Sequence, residues 1–389
     1  MPAWWQAAGS PGAPDYHWSN ELQGARHRRG RGKGETMKRP TAALWLRQAR
    51  IAGYRESERQ RRKYRPHGPK SSRFTAPSGV IVAPKAFNIT LGAGVEVVKF
   101  LRAVSTAVLI DGHPVVLDFR GTEAFYPPAT ILLFSEIDRI VTMSSLPKPI
   151  TIRDPRQRRA REVMKQIGIH DLTGDICDIV PSREDVIYWR ASKGATQSGE
   201  NLQFLEAVAD KVNQEQARHV ELTGVWRGAT EAVANAVEHA YKLPRDDGFQ
   251  GLPATKWWTF TQLRDGVFTM AVCDLGCGYR ATIGLTIPEA FVSMVSTAFR
   301  GKNHDACAID TAMQYGRSGT KDEHRGKGSK DALAVVEKHG EGELVVLSNS
   351  GWMRYVYSRQ KKWTSNAGAL GIDIRGTILW WKLPLGAVQ

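Results

Sequence analysis

The chain is 389 residues long and 42% hydrophobic, which is enough for two domains of ordinary size with buried cores. No apolar run approaches the roughly 18 residues that a membrane helix needs, and no signal-like segment is evident, so we expect a cytoplasmic protein with no membrane partner. Four scattered cysteines argue against a disulfide framework. The net charge of +15 is uneven: residues 1–85 carry 18 Lys and Arg against 5 Asp and Glu, and the rest carry 36 against 34.

Residues 1–77 are predicted to be a basic, disordered leader. In that interpretation its charge runs, "RHRRGRGKG" and "RQRRKYRPHGPK", are solvated. Nucleic-acid binding through the leader is the alternative, since clustered Lys and Arg neutralise phosphates. Met37 leaves a third possibility, that residues 1–36 are an upstream extension of a protein that begins at Met37.

From residue 78 short apolar runs alternate with helical patterns: "GVIVA", "VEVVKFLRAVSTAVLI", "PVVLDFRG", "PATILLFSEIDRIVTM", "PITIRD" and "RRAREVMKQIGI". Strands alternating with helices predict an α/β layer, which we assign to a first domain over residues 78–180. The stretch in which a strand ends at Asp118 and a helix follows a Pro pair resembles the STAS-like domains of bacterial partner-switching regulators. In that family the loop before the helix often carries a phosphorylatable hydroxyl. Thr122 and Thr130 lie near this loop, and Thr130 is interpreted as an ordinary first-turn helix residue.

The polar stretch "RASKGATQSGENLQ" separates this domain from the next, and we interpret residues 181–199 as a linker. The second domain, residues 200–389, is predicted to contain helices at 201–219, 224–241 and 328–339. Its predicted strands are residues 255–263 and 266–273 and the segments "GELVVLSNS", "WMRYVYS" and "GTILWWKLPL".

The helix predicted from "GVWRGATEAVANAVEHAY" has two separate faces. At about 100° per residue its apolar residues share one arc: Val225, Trp226, Ala229, Val233, Ala236, Val237 and Ala240. Glu231, Asn235 and His239 recur every four residues on the opposite arc. A surface helix with a solvated polar face accounts for this pattern. The alternative is a metal site, because a carboxamide oxygen ligates Mg²⁺ without adding charge, and a carboxylate one turn away would orient an attacking hydroxyl.

Two glycine-rich turns add to this pattern. "DLGCGY" follows the apolar run "GVFTMAVC", and its bare glycines would let a flat ligand approach the backbone while Asp274 accepts a hydrogen bond. "RGKG" leads into an amphipathic helix, whose N-terminal N–H groups and dipole favour an anion. A simple loop accounts for each turn taken alone, and neither has the spacing of a P-loop or a dinucleotide fingerprint.

In this order the three motifs resemble those of the GHKL ATPase superfamily, the group of gyrase, Hsp90, histidine kinases and MutL that shares the Bergerat ATP-binding fold. "EAVANAVEHA" is similar to its N box, "DLGCGY" to its G1 box and "RGKG" to its G2 box, and "GTILWWKLPL" is similar to its last strand. The resemblance covers residues 200–384. It implies an α/β protein in which a STAS-like domain precedes a Bergerat-fold sandwich that binds ATP and Mg²⁺.

The resemblance also implies roles for individual residues. Asp274 would accept the adenine amino hydrogen, Asn235 would ligate Mg²⁺, and Glu231 would be the general base. The other implied site residues surround the nucleotide: Thr377 beside the adenine, Gly276 and Gly278 where the nucleotide approaches closely, Gly326 and Gly328 along the phosphates, and His239 and Lys327 as neighbours. Residues 279–325 would be the ATP lid.

The sequence leaves the activity open among three interpretations. A sensor histidine kinase is disfavoured, because residues 181–222 are too short for a dimerising hairpin and lack heptads. A Mg-ATP-dependent serine/threonine kinase of the anti-sigma-factor type, or an ATPase, would act with a protein partner or phosphoacceptor. The alternative is an ATP-gated interaction switch with little or no catalysis, whose partner surfaces are the STAS-like domain and the leader. A homodimer is compatible with either.

Overall fold

The computed structural model describes residues 79–90, 94–183, 186, 189–197, 222–245, 247–249, 255–287, 303–317 and 327–385. All of them belong to one compact unit. The predicted leader and the predicted helix over residues 201–219 lie outside the described residues. Within the described part of the chain, no helix combines the length and the apolar character needed to cross a membrane.

The first segment alternates strands and helices, as the sequence predicts. Its elements are β1 (Val80–Val82), β2 (Ala86–Phe87), α1 (Gly94–Ser105, continued by a π-helical turn, Thr106–Ile110), β3 (Val115–Asp118), β4 (Ala124–Phe125), α2 (Pro127–Met143), β5 (Ile150–Arg153), α3 (Arg158–Gln166) and α4 (Ile169–Thr173). Three parallel strands form a sheet in the order β1-β3-β5, and β2 pairs with β4. The helices supply the crossovers that parallel strands require.

The second segment forms a larger sheet. Its elements are β6 (Arg190–Gly194), α5 (Leu222–Asn235, continued by a π-helical turn, Ala236–Ala240), β7 (Trp257–Arg264), β8 (Val267–Asp274), α6 (Gly278–Thr286), α7 (His304–Arg317), α8 (Lys327–His339), β9 (Glu341–Ser348), β10 (Gly351–Ser358), β11 (Lys362–Ala369) and β12 (Thr377–Pro384). Seven antiparallel strands lie in the order β11-β10-β9-β12-β8-β7-β6. The protein is therefore mixed α/β, as predicted.

The two outer strands of this sheet differ from the prediction. β6 lies in the segment interpreted as a linker, but it pairs with β7, and Trp189 just before it is fully buried. β11, "KWTSNAGA", is absent from the predicted strands and pairs with β10. Both are edge strands of mainly polar or small residues, so neither has the apolar alternation by which strands are predicted.

Helix α7 corrects the expectation of a lid over residues 279–325. It packs against α6, α8 and β10, and its residues Ile309 and Met313 are buried. α6 occupies the beginning of the same segment. α7 therefore belongs to the helical layer on the sheet, and the lid interpretation is wrong for this helix.

Helix α5 has the two faces that the sequence predicts. Val225, Ala229, Val233, Ala236 and Ala240 are buried, and Trp226 and Val237 are partly buried against the same core. Glu231, Asn235 and His239 are half-buried on the other face. Close packing of α5 on α8 depends on Gly228, where a Cβ would lie 2.2 Å from Val335 Cγ2.

Helix α2 covers the opposite face of the seven-stranded sheet. Trp257 packs in the hydrophobic cluster that contains α5, and Trp258 packs in the cluster that contains α2, because successive side chains of a strand point to opposite faces. Residues 128–140 of α2 are all buried. The two predicted domains thus share a hydrophobic core, and the boundary between them stays a prediction.

Polar residues of α2 are paired at this interface. The Asp138 carboxylate accepts a hydrogen bond from Trp258 Nε1 at 2.9 Å and forms an ion pair with Lys193 of β6. Ser135 Oγ lies 3.7 Å from Cys273 Sγ. Buried polar groups are costly unless they are paired, so these contacts fix how α2 lies on the sheet.

A buried charge network extends from α2 to the segment after α5. Glu136 forms ion pairs with Arg139 at 3.1 Å and with Arg245. Arg139 also pairs with Asp247 at 3.0 Å. Arg245 Nε donates to the carbonyl oxygen of Arg375 at 2.6 Å. The network therefore ties α2 to two loops at one end of the large sheet.

Candidate functional site

Asp274 and Thr377 meet at that end of the sheet. Asp274 is the last residue of β8, Thr377 is the first residue of β12, and the two are direct partners in the antiparallel register. The Asp274 Oδ1 accepts a hydrogen bond from Gly276 N–H at 2.9 Å, and the N–H and hydroxyl donors of Thr377 lower the pKa of this carboxyl. Strand pairing thus brings together two predicted site residues that lie far apart in the sequence.

The electrostatic environment of Asp274 is unusual for a carboxylate. Burial raises the pKa of this carboxyl to about 6, although the Gly276 N–H, the charge of Arg245 and the donors of Thr377 act in the opposite direction. The carboxyl group is therefore ionised at neutral pH, but the neighbouring donors and Arg245 only partly offset the cost of burying its negative charge. A ligand that offers it a further hydrogen-bond donor would be favoured.

The glycines of the turn after Asp274 serve the packing of the protein itself. A Cβ on Gly276 would lie 2.2 Å from the carbonyl oxygen of Ala240, and a Cβ on Gly278 would lie 2.4 Å from Asn349 Nδ2. Gly278 also has a φ of +77°, which favours glycine. The space above these two glycines is occupied by the C-terminal end of α5 and by Asn349. Both glycines are predicted from the sequence to let a ligand approach the backbone. In the structure the protein's own atoms occupy that space instead.

Gly276→Ala is expected to lower the free energy of unfolding by about 1 to 3 kcal/mol, because the added methyl group overlaps a backbone carbonyl. Urea unfolding of the full chain measures this. Gly284→Ala in α6 is the matched control, since a Cβ there meets nothing within 4 Å, and the change should stabilise the helix by up to about 1 kcal/mol. Equal stability of the two variants would contradict the packing described for the turn.

The C-terminal end of α5 rests directly on this turn. Cys277 N–H donates to the carbonyl oxygen of Ala240 at 2.8 Å. The Tyr241 hydroxyl accepts from Leu275 N–H at 3.1 Å and donates to the carbonyl oxygen of Lys256 at 2.7 Å. The predicted Glu-x-x-x-Asn helix and the Asp-x-Gly-x-Gly turn are therefore neighbours in the fold.

Glu231 and Asn235 lie about one helical turn apart on the half-buried face of α5. His239 lies in the π-helical turn that follows. Its Nδ1 lies 3.0 Å from Lys242 Nζ and its Nε2 lies 3.8 Å from Glu238 Oε2. These contacts of His239 are with residues close to it in sequence, and its place beside a ligand stays a prediction.

The third motif begins α8. The helix starts at Lys327, with Gly328 in its first turn, and Gly326 lies outside the described residues. α8 runs beside α5, where Arg227 Nε lies 3.0 Å from Asp331 Oδ1. The predicted anion-binding helix is thus adjacent to the helix that carries Glu231 and Asn235.

Three residues around Asp274 were missed at the sequence level. Ser348 Oγ accepts from Tyr279 N–H at 3.1 Å and lies 3.3 Å from Thr377 Oγ1. Asn349 donates to the Cys277 carbonyl at 3.1 Å and has a φ of +50°. Tyr241 supports the turn, as described above. The segment "SNSG" between two strands is a turn pattern that could have indicated Asn349, whereas nothing local indicates Ser348 or Tyr241.

The two hydroxyls near the β4–α2 loop are not accessible. Thr122 is 1% exposed and donates to the Pro84 carbonyl at 2.8 Å. Thr130 is fully buried and donates to the Tyr126 carbonyl at 2.8 Å, which confirms its interpretation as a first-turn helix residue. In the folded state neither is presented to a kinase.

The structure therefore places the Asp274 carboxylate at the end of a sheet, next to a helix that carries a carboxylate and a carboxamide. Comparison of the chain with protein-family models, with curated proteins and with solved structures gives no match.

Proposed function

We propose that the protein binds Mg-ATP at the site around Asp274, in the manner of a GHKL ATPase domain. The observation that supports this most is the pairing of Asp274 with Thr377 on adjacent strands, directly beside the end of α5. In the resemblance these two residues hold adenine. An ionised carboxylate in a partly buried site, hydrogen-bonded on one side, suits the amino group of a purine.

The residues that would hold the rest of the nucleotide follow from the same resemblance. Asn235 would ligate Mg²⁺, whose remaining positions would be filled by phosphate oxygens and water. Glu231, one turn earlier on the same face of α5, would be the general base. The first turn of α8, with Gly326, Lys327 and Gly328, would lie along the phosphates.

Asp274→Asn is expected to weaken ATP binding by about 1 to 3 kcal/mol, or roughly fivefold to 150-fold in Kd, because the amide can present a donor towards the adenine amino group. Calorimetric titration of the purified chain with Mg-ATP measures this. Asp265→Asn is the matched control: Asp265 lies at the other end of β8, its side chain is 74% exposed, and its φ of +52° suits Asn.

Thermal unfolding of the same variants separates binding from folding. Because the pKa of Asp274 is raised from 3.8 to about 6, this group favours the folded state below pH 3.8, and that contribution is lost as the pH rises through 6. Asn cannot ionise, so the variant without nucleotide should be at least as stable as the wild type at pH 8. Unchanged ATP affinity in a folded Asp274→Asn protein would show that the turn after β8 has only a structural role.

Two activities are compatible with this site. A protein serine/threonine kinase or ATPase of the anti-sigma-factor type would turn over ATP, and an ATP-gated interaction switch would bind it with little or no turnover. Incubation with ATP labelled at the γ-phosphate, alone and with cell lysate, distinguishes them. Transfer to protein indicates a kinase, release of phosphate indicates an ATPase, and retention of intact ATP supports the switch.

A further inference from the structure

Away from the Asp274 site, a carboxylate, an imidazole and a thiol converge beside β5. Asp154 follows β5 directly, His170 lies in α4, and Cys177 lies in the segment after α4. One candidate ligand atom from each, a carboxylate oxygen, a ring nitrogen and Sγ, lie within 4.8 Å of one another. A tetrahedral zinc ion separates its ligand atoms by about 3.3 to 3.8 Å, given bonds of about 2.0 to 2.3 Å. The three groups are therefore close to metal-binding distances.

The histidine supplies a second, independent observation. His170 is 1% exposed, and its Nε2 lies 2.7 Å from Asp154 Oδ1. Its Nδ1 is buried and has no hydrogen-bond partner in the described part of the chain. A buried ring nitrogen without a partner is costly. Nε2 is the ring nitrogen that faces the Asp154 carboxylate, so it is the atom placed to ligate an ion shared with Asp154, and such an ion would replace the hydrogen bond between them.

The local backbone holds these groups in place before any ligand binds. Gly168 and Gly174 bracket α4 with φ values of +83° and +70°. Asp175 Oδ2 accepts from Ile152 N–H at 2.8 Å, and Asp175 Oδ1 forms an ion pair with Lys148 at 2.8 Å. Asp175, two residues before Cys177, thus holds this segment against β5.

We propose that Asp154, His170 and Cys177 bind a zinc ion, with a fourth coordination position that faces solvent. Sulfur, nitrogen and oxygen donors together suit Zn²⁺, whereas Mg²⁺ and Ca²⁺ prefer oxygen ligands alone. A thiolate and a carboxylate neutralise the charge of the ion. The Asp154 side chain is 30% exposed and Cys177 is half-buried, so the site opens outward. The ion would join the end of β5 to the segment after α4, independently of nucleotide.

A catalytic Cys-His-Asp arrangement is the competing interpretation of the same residues. In such an arrangement one ring nitrogen contacts the carboxylate and the other contacts the thiol. His170 Nε2 lies 2.7 Å from Asp154 Oδ1, but its Nδ1 has no hydrogen-bond partner among the described residues. The imidazole is therefore not placed to take a proton from Cys177 through Nδ1.

Titration of the metal-free full chain with Co²⁺ tests the proposal, because Co²⁺ replaces Zn²⁺ in such sites and its absorption reports thiolate ligation. We expect one Co²⁺ per chain with a sulfur-to-cobalt charge-transfer band, displaced by Zn²⁺. Cys177→Ser should abolish the band, and Asp154→Asn should weaken binding about tenfold or more. Both positions are partly exposed, so these variants do not depend on replacing the buried His170.

Two matched controls keep the result specific. Cys307→Ser removes a thiol in α7, and Asp178→Asn removes an exposed carboxylate next to Cys177; both should bind Co²⁺ like the wild type. Zinc should also raise the unfolding temperature of the wild type but not of Cys177→Ser. Absence of the charge-transfer band in the wild type, or its persistence in Cys177→Ser, would overturn the proposal.

Discussion

Glu136→Gln is expected to lower the free energy of unfolding at pH 7 by about 3 to 5 kcal/mol, because removing one partner of a buried ion pair leaves the other charge uncompensated. Glu136 is 6% exposed and pairs with both Arg139 and Arg245. Urea unfolding of the full chain measures the loss. Glu123→Gln is the matched control, since its ion pair with Lys85 at 3.2 Å is exposed and should contribute less than about 1 kcal/mol.

The same network predicts a pH dependence. Burial alone would raise the pKa of Glu136, but Arg245 and Arg139 lower it from 4.5 to about 2. The stabilisation from this carboxylate is therefore present above pH 4.5 and is lost as the pH falls towards 2. The difference in stability between the wild type and Glu136→Gln should shrink over that window. A difference that is constant with pH, or no larger than that of Glu123→Gln, would show that the charges of the network do not hold α2 in place.

If Glu231 is the general base of the proposed ATP site, Glu231→Gln should leave ATP binding intact and lower any turnover by a factor of about 10² to 10⁴. The amide keeps the shape of the side chain, and Glu231 lies on the half-buried face of α5, so unfolding without nucleotide should change little. Glu238→Gln is the matched control, because Glu238 is exposed in the turn that ends α5. Full turnover in Glu231→Gln would mean that another group is the base.

Asn235→Ala tests the role proposed for Asn235 independently of the role proposed for Glu231. If Asn235 ligates Mg²⁺, the variant should bind Mg-ATP more weakly, while its binding of the nucleotide without Mg²⁺ stays closer to that of the wild type. Calorimetric titrations with and without Mg²⁺ give both affinities. If Asn235→Ala and Glu231→Gln both behave like the wild type towards nucleotide, α5 is a surface helix with a solvated polar face.

Local patterns predicted most of the elements. The alternation of apolar runs with helical patterns located β1, β3, β5 and the helices between them, and the two faces of α5 followed from its period. α2 was predicted as a helix, but its burial on all sides was not, because Glu136, Asp138 and Arg139 lie within it. The edge strands β6 and β11 were missed because polar, small residues on an edge strand carry no alternating signal.

The candidate site was predictable only in parts. The Asp-x-Gly-x-Gly turn and the Glu-x-x-x-Asn helix were each visible as a motif, because each depends on neighbouring residues. The reason for a glycine at position 276 was not visible, because the atom that a side chain would meet is the carbonyl oxygen of Ala240, which is distant in sequence. Ser348 was missed for the same reason: its contact with Thr377 arises from the pairing of β9 with β12.

By itself the sequence determined the positions of most strands and of helices such as α2, α5 and α8, since turn residues and hydrophobic periodicity act over a few residues. It did not predict α6 and α7, which lie in the segment interpreted as a lid. Only the tertiary structure decided that β12 lies beside β8 and so brings Thr377 to Asp274. It also decided that α2 covers the second face of the large sheet, where Glu136 meets Arg245. Such contacts depend on burying the apolar faces of distant segments together, and the free energy of that burial depends on all of these segments at once.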